Sequence, residues 1–70
     1  MAGKVYRVTH VVGTSEDSID DAIRTAISTA SKTIRNLDWF EVGEIRGGIV
    51  DGEVAEFQVN LNIGFRFEGK

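Results

Sequence analysis

The clearest pattern in the chain is an alternation. From about Glu53 to Glu68, Ala55, Phe57, Val59, Leu61, Ile63, Phe65 and Phe67 take the odd positions, with Val54, Glu56, Gln58, Asn60, Asn62, Gly64 and Arg66 between them. A period of two is that of a strand with one buried face, so the odd face is expected to pack on a helix. The even face carries amides more than charges, which is unusual for a plainly solvated surface. Upstream the period lengthens. Ile19, Ala22, Ile23, Ala26, Ile27, Ala30, Ile34 and Leu37 follow the spacing of one helical face. The small alanines let such a helix lie close to a sheet. Its other side carries Arg24, Thr25, Ser28, Thr29, Ser31 and Lys32. Arg24, Lys32 and Arg35 fall in the C-terminal half, where the helix dipole favours cations. The helix is expected to end near Asn36, whose side chain tolerates a left-handed terminus. Val5 to Val12 reads as a strand with Tyr6, Val8, His10 and Val12 on one face and Val5, Arg7, Thr9 and Val11 on the other. Apolar residues on both faces suggest that a partner chain covers part of the second.

Between these elements the turn chemistry is consistent. Gly13-Thr14-Ser15 reads as a turn into the helix, with Thr14, Ser15 and Ser18 as candidate N-caps. Glu16, Asp17, Asp20 and Asp21 place negative charge at the positive end of the helix dipole, which favours capping over phosphate binding there. A second strand runs from about Trp39 to Gly47-Gly48, and Ile49 and Val50 either extend it or enter the turn. Asp51-Gly52 is a hairpin signal. The order strand, helix, strand, strand predicts an α+β fold, a small β-α-β-β unit whose three-stranded antiparallel sheet wraps around one helix. It forms one domain over residues 1–70. The third strand is long enough to run past its own partners and pair with another chain.

Length makes that last point matter. A chain of 70 residues buries only about 60% of its extended-chain surface and is marginal as a monomer. Small proteins offset this with disulfides, a structural metal or self-association. The absence of cysteine excludes disulfides and thiolate metal sites, and His10 lacks the carboxylate partners a metal would need. It reads instead as a solvated strand histidine. Self-association remains. A net charge of −3 with no basic run argues against nucleic acid, and Arg46-Gly47-Gly48 reads as a strand end. There is no stretch of roughly 20 apolar residues for a membrane span and no signal-peptide core, so a cytoplasmic protein is expected.

Candidate chemistry is sparse. No nucleophile and base pair, metal-ligand set or nucleotide loop is visible, so enzyme catalysis is not supported. What remains is a binding face. Trp39, the single tryptophan, offers an aromatic plane, although a lone Trp after a helix often just fills a core or interface. Gln58 pairs a donor with an acceptor, as suits the imide or amide edge of a flat heterocycle. A regular ladder closed at Asp51-Gly52 would set Gln58 opposite Ile45 and Phe65 near Asp38. Gln58 and Trp39 would then lie well apart, so a shared site would span two subunits. Trp39 and Arg46 would face opposite sides of a regular strand and could cooperate only through a bulge, for which Gly43 is the natural place, or across an interface. Otherwise Arg46 is a solvated strand-end arginine.

Gly13-Thr14-Ser15, Leu37-Asp38-Trp39-Phe40-Glu41-Val42, Glu44-Ile45-Arg46-Gly47, Phe57-Gln58-Val59 and Gly64-Phe65-Arg66 together closely resemble the dodecins, over nearly the whole chain. The likeness is to the bacterial branch, which favours flavin mononucleotide (FMN). The resemblance implies a hollow, twelve-chain particle of cubic symmetry, with two flavin rings stacked between symmetry-related tryptophans. Carried over, Trp39 is the stacking plane, Gln58 bonds the pyrimidine edge of the ring, and Arg46 contacts the flavin or its phosphate-bearing tail. Arg66 is a weaker phosphate candidate. Riboflavin and FAD are alternative ligands, and some members bind coenzyme A, for which Lys32 and Arg66 are the basic residues to name. An indole beside a flavin should quench its excited state, so storage, sequestration and photoprotection are the implied role. A purely structural shell and a flavin-dependent reductase are the competing readings.

Overall fold

In the computed structural model, which describes residues 3–67, the chain runs β1 (Tyr6–Ser15), α1 (Ile19–Ala30), β2 (Leu37–Val50) and β3 (Glu53–Arg66). The strands make one antiparallel sheet in the order β1-β3-β2, so the expected β-α-β-β architecture is present. The most strongly alternating strand is the central one. Its odd positions Val59, Leu61 and Ile63 are the largest fully buried side chains, and they meet Ala22, Ala26 and Ala30 of α1. Glu68, the expected end of β3, lies outside the described residues.

β1 is longer than its apolar run suggested. It continues through Gly13-Thr14-Ser15, which pair with Val59, Gln58 and Phe57. Gly13 is therefore a strand residue and not part of a turn. A Cβ there would collide with the Ala22 carbonyl and come within 2.9 Å of the Ala26 Cβ, so α1 crosses β1 closely only because Gly13 has no side chain. Ser18 is the N-cap, accepting from the Asp21 N–H at 2.9 Å. The buried Ser15 hydroxyl organises the approach to it. That hydroxyl accepts from the N–H groups of Asp17 and Ser18 and donates to the Asp21 carboxylate at 2.7 Å.

The helix is shorter than its periodicity suggested, stopping at Ala30 instead of near Asn36. Beyond it the N–H groups of Lys32 and Thr33 turn back to the carbonyls of Thr29 and Ala30, and the Ser31 hydroxyl donates to the Ser28 carbonyl. These short-range bonds satisfy the terminal carbonyls and close the helix early. Lys32 and Arg35 consequently lie outside it and do not complement its dipole. Asn36 does take a left-handed conformation, at φ 64°. It does so where the chain enters β2, with its carbonyl accepting from the Arg66 N–H.

Asp51 and Gly52 both have positive φ, 52° and 79°, the pattern of a primed hairpin turn. Ile49 and Val50 belong to β2, opposite Val54 and Glu53. β3 does not outrun β2. The two strands leave together, as a ribbon projecting beyond Ser15, where β1 ends.

α1 packs on β1 and β3 but does not reach β2. On the helix side of β2, Phe40, Val42 and Ile45 are exposed, and on the opposite side of β1 so are Val8 and Val12. The sequence pointed to the Val5–Val11 face as the one needing a partner. Val11 instead packs beneath α1, and the bare apolar positions in mid-strand are Val8 and Val12. The radius of gyration is 14.7 Å, against about 11 Å for a compact chain of this length. A compact monomer of this mass exposes about 4,300 Å², whereas this chain exposes 5209 Å².

The Gly13 crossing is testable. Gly13→Ala should cost about 1–3 kcal/mol by overpacking, read as a lower denaturant midpoint. Gly3→Ala, at a position open to solvent, should leave the midpoint in place.

Candidate functional site

Trp39 sits opposite Gly64 across the β2–β3 ladder. The six-membered ring of its indole occupies the space a side chain on Gly64 would need, since a Cβ built there collides with three of its atoms. Glycine inside an otherwise alternating strand marks a close approach of this kind. The indole rests on the backbone on that side yet remains 42% exposed. Tyr6 stands beside it, with ring centroids 6.1 Å apart and planes tilted by 57°. The Tyr6 hydroxyl donates to the Asp38 carboxylate at 2.8 Å. That bond holds the phenol above its ordinary titration range, while nearby Arg66 pulls the other way. Tyr6 and Asp38 thus brace the residue next to Trp39.

Further along β2 the ladder breaks. Val42 pairs with Leu61 and Ile45 with Val59, so Gly43 and Glu44 together oppose Asn60. This is the bulge expected at Gly43. A Cβ at Gly43 would make only ordinary contact, 3.6 Å from Asn60. What ties the bulge is the Asn60 amide, which donates to the Glu44 carbonyl at 3.2 Å. The extra residue brings Arg46 onto the face of Trp39. It also changes the expected register. Gln58 lies opposite Arg46 and not Ile45, and a further irregularity at Asp38 sets Phe65 opposite Leu37 and not Asp38.

Trp39, Arg46, Gln58 and Arg66 therefore share the sheet face away from α1. They do not form one cluster. Gly64, under the indole, and Gln58 are six residues apart on β3, about 20 Å at the rise of a strand. Arg66 stands at the Trp39 end, opposite Tyr6, whereas Arg46 and Gln58 stand together at the other. The Gln58 Nε2 donates to the Glu56 carboxylate at 2.9 Å. Arg46 lies 3.6 Å from Glu44 with both side chains largely exposed, a pair that water screens. Between the two ends, His10, Glu44, Asn60 and Asn62 line a shallow polar depression. Lys32 is elsewhere, in the turn that ends α1. Among the described residues no group of His, Asp and Glu gathers to hold a metal, and no helix is long and apolar enough to cross a membrane.

Four residues of this face escaped the sequence reading of individual roles. Gly64 had a signal, a glycine interrupting an alternating strand. Glu56 had a weaker one, two positions before Gln58 and so on its face. Tyr6 and Asp38 had none, because only the β1-β3-β2 order brings together residues so far apart in the chain.

Comparison with known proteins agrees with this geometry. The profile of the Dodecin family matches residues 5–68. The curated dodecin of Thermus thermophilus is 54% identical over 66 residues, covering 94% of this chain and 96% of that protein. Among solved structures, dodecin from Streptomyces coelicolor superposes with a TM-score of 0.94 at 56% identity over the full length of both chains. Dodecin from Streptomyces davaonensis gives a TM-score of 0.92 at 50% identity, over 97% of this chain and 100% of that one. Sequence, element order and superposition coincide over the whole sheet and helix, and the chain belongs to the Dodecin family, whose members are small binding proteins rather than enzymes.

Proposed function

We propose that this protein stores flavin, preferably FMN, by stacking pairs of isoalloxazine rings between Trp39 side chains of neighbouring copies in a hollow twelve-chain particle in the cytoplasm. The observation that carries the proposal is the Trp39 indole, backed by Gly64 on one side and open on the other, on the same sheet face as Gln58 and Arg46. A flat aromatic surface fixed from behind and free in front is a stacking platform, and stacking on a flat base contributes about 1–3 kcal/mol. Because Trp39 and Gln58 stand about 20 Å apart along the strand, one copy supplies the plane and another can supply the polar edge contacts. The exposed Phe40, Val42, Ile45, Val8 and Val12 support self-association of the kind that would bring those ends together.

The chemistry then follows from the residues. The indole donates an electron to the excited flavin and the pair recombines, so light energy is dissipated without net reaction. Gln58 meets the pyrimidine edge, Arg46 lies beside it, and Arg66 at the Trp39 end is available to a phosphate-bearing tail. Nothing in this set transfers a hydride or a group, which favours storage, sequestration and photoprotection over turnover.

The decisive variant is Trp39→Ala, studied by FMN fluorescence titration beside light scattering. Loss of one stacking face should weaken binding roughly 5- to 150-fold and abolish quenching, with the particle still assembled. Unchanged quenching would overturn the proposal. Dissociation of the particle would make Trp39 an interface plug, and steady turnover with a nicotinamide donor would make the protein a reductase. Gly64→Ala should weaken FMN by a similar factor with Trp39 still present, because the added methyl lifts the indole off the sheet and narrows the slot. An affinity unchanged in Gly64→Ala would show that the backing is irrelevant.

A further inference from the structure

We infer that Glu56 is a positioning residue that fixes which end of the Gln58 amide a bound ring meets, and so makes the site selective for planar rings with a free imide N–H. The inference rests on the flavin reading above and deepens it. A glutamine amide has two ends of equal size and opposite chemistry, and it can turn either one towards a ligand. An ionised carboxylate can only accept. With Glu56 Oε2 2.9 Å from Gln58 Nε2, the nitrogen end is drawn to Glu56 and Oε1 is turned away from it.

The backbone places Glu56 for this purpose. Glu56 and Gln58 are alternate residues on one strand and so share a face. Across the ladder stand Gly48 and Gly47, and a Cβ on Gly47 would lie 2.7 Å from the Glu56 carbonyl oxygen. Only a glycine lets the strands approach this closely beside Glu56. Among the described residues, Glu56 is the single side chain hydrogen-bonded to the Gln58 amide. Gln58 is left with a carbonyl oxygen that accepts and one N–H that donates. The half-buried side chain cannot reverse without setting its oxygen against the carboxylate.

The ligand class follows. The imide edge of an isoalloxazine presents an N–H flanked by two carbonyls. The ring N–H donates to Gln58 Oε1 and one ring carbonyl accepts from the remaining Nε2–H. Arg46, the cross-strand partner of Gln58, offers donors to the second carbonyl. A reversed amide would set N–H against N–H. Glu56 thus converts an ambiguous polar contact into one that discriminates against rings alkylated at the imide nitrogen.

The test uses the assembled full-length protein with riboflavin and its N3-methyl derivative. Both lack phosphate, so removing a carboxylate does not alter attraction to a charged tail. Titrations follow fluorescence quenching. The wild-type protein should prefer riboflavin by roughly tenfold, the value of about one well-oriented hydrogen bond. Glu56→Ala should weaken riboflavin about three- to tenfold while leaving the N3-methyl ligand within about twofold. Quenching of whatever is bound should be unaffected. Glu56→Gln keeps the side-chain volume but is no longer restricted to accepting, and it should show the same loss of preference. Equal weakening of both ligands, or a preference that persists in both variants, would overturn the role of Glu56 alone. Wild-type protein that binds neither ligand would overturn the flavin reading and the Glu56 role together.

Discussion

A helix of 12 residues is too small for the sheet it covers, and the rest of the structure follows from that mismatch. Such a helix is about 18 Å long and 10 Å wide, enough for two strands spaced about 4.8 Å apart. β2 and β3 each contain 14 residues and extend about 46 Å. The helix settles over β1 and β3, where Gly13 and the three alanines allow close approach, and leaves β2 bare. Exposed Phe40, Val42 and Ile45 on the helix side are then the consequence of geometry, and no misplacement of apolar residues has to be invoked. A protein with this shape gains most by covering those residues with further copies of itself.

The other side of the sheet shows how a small set of backbone irregularities creates a chemically coherent face. Without the bulge opposite Asn60, Arg46 would point towards the helix side. Without a glycine at position 64, the indole could not lie down on the sheet. Both features cost something locally, a disrupted ladder in one case and a strand-interior glycine in the other. Each has a compensating contact, the Asn60 amide on the Glu44 carbonyl and the indole over Gly64. The amides on this face are thereby partly explained. Asn60 holds the bulge and Gln58 is held by Glu56, so these two do not act simply as solvated strand residues.

Separation along the strand matters as much as sharing a face. The aromatic plane and the amide edge belong to one surface but to opposite ends of it. Under the flavin proposal, affinity would depend on assembly, and a dilute chain would hold only half of the contacts. This suits a buffer for a reactive cofactor better than a catalyst, since ligand capacity would rise and fall with the particle.

Element order, the helix-facing side of β3 and the hairpin at Asp51-Gly52 were legible in the linear chain, and so were Trp39, Arg46, Gln58 and Arg66 as candidates for a binding face. Period, turn chemistry and a single tryptophan are local properties, readable one stretch at a time. Gly43 was also legible as the natural place for a bulge, since Trp39 and Arg46 differ by an odd number and could share a face within one chain only with an extra residue between them. The sequence reading misjudged the helix end, the reach of β1, the face of β1 that is left bare and the pairing of Gln58. The helix end depended on short-range hydrogen bonds in the turn after Ala30, and the other three on contacts between distant segments. Gly13 reads as a turn until α1 is laid across it, and Ala30 ends the helix because the N–H groups of Lys32 and Thr33 find nearer carbonyls. Strand order, the backing of Trp39 by Gly64 and the brace from Tyr6 to Asp38 were decided only in three dimensions, because pairing across a sheet joins residues that nothing in the linear order connects.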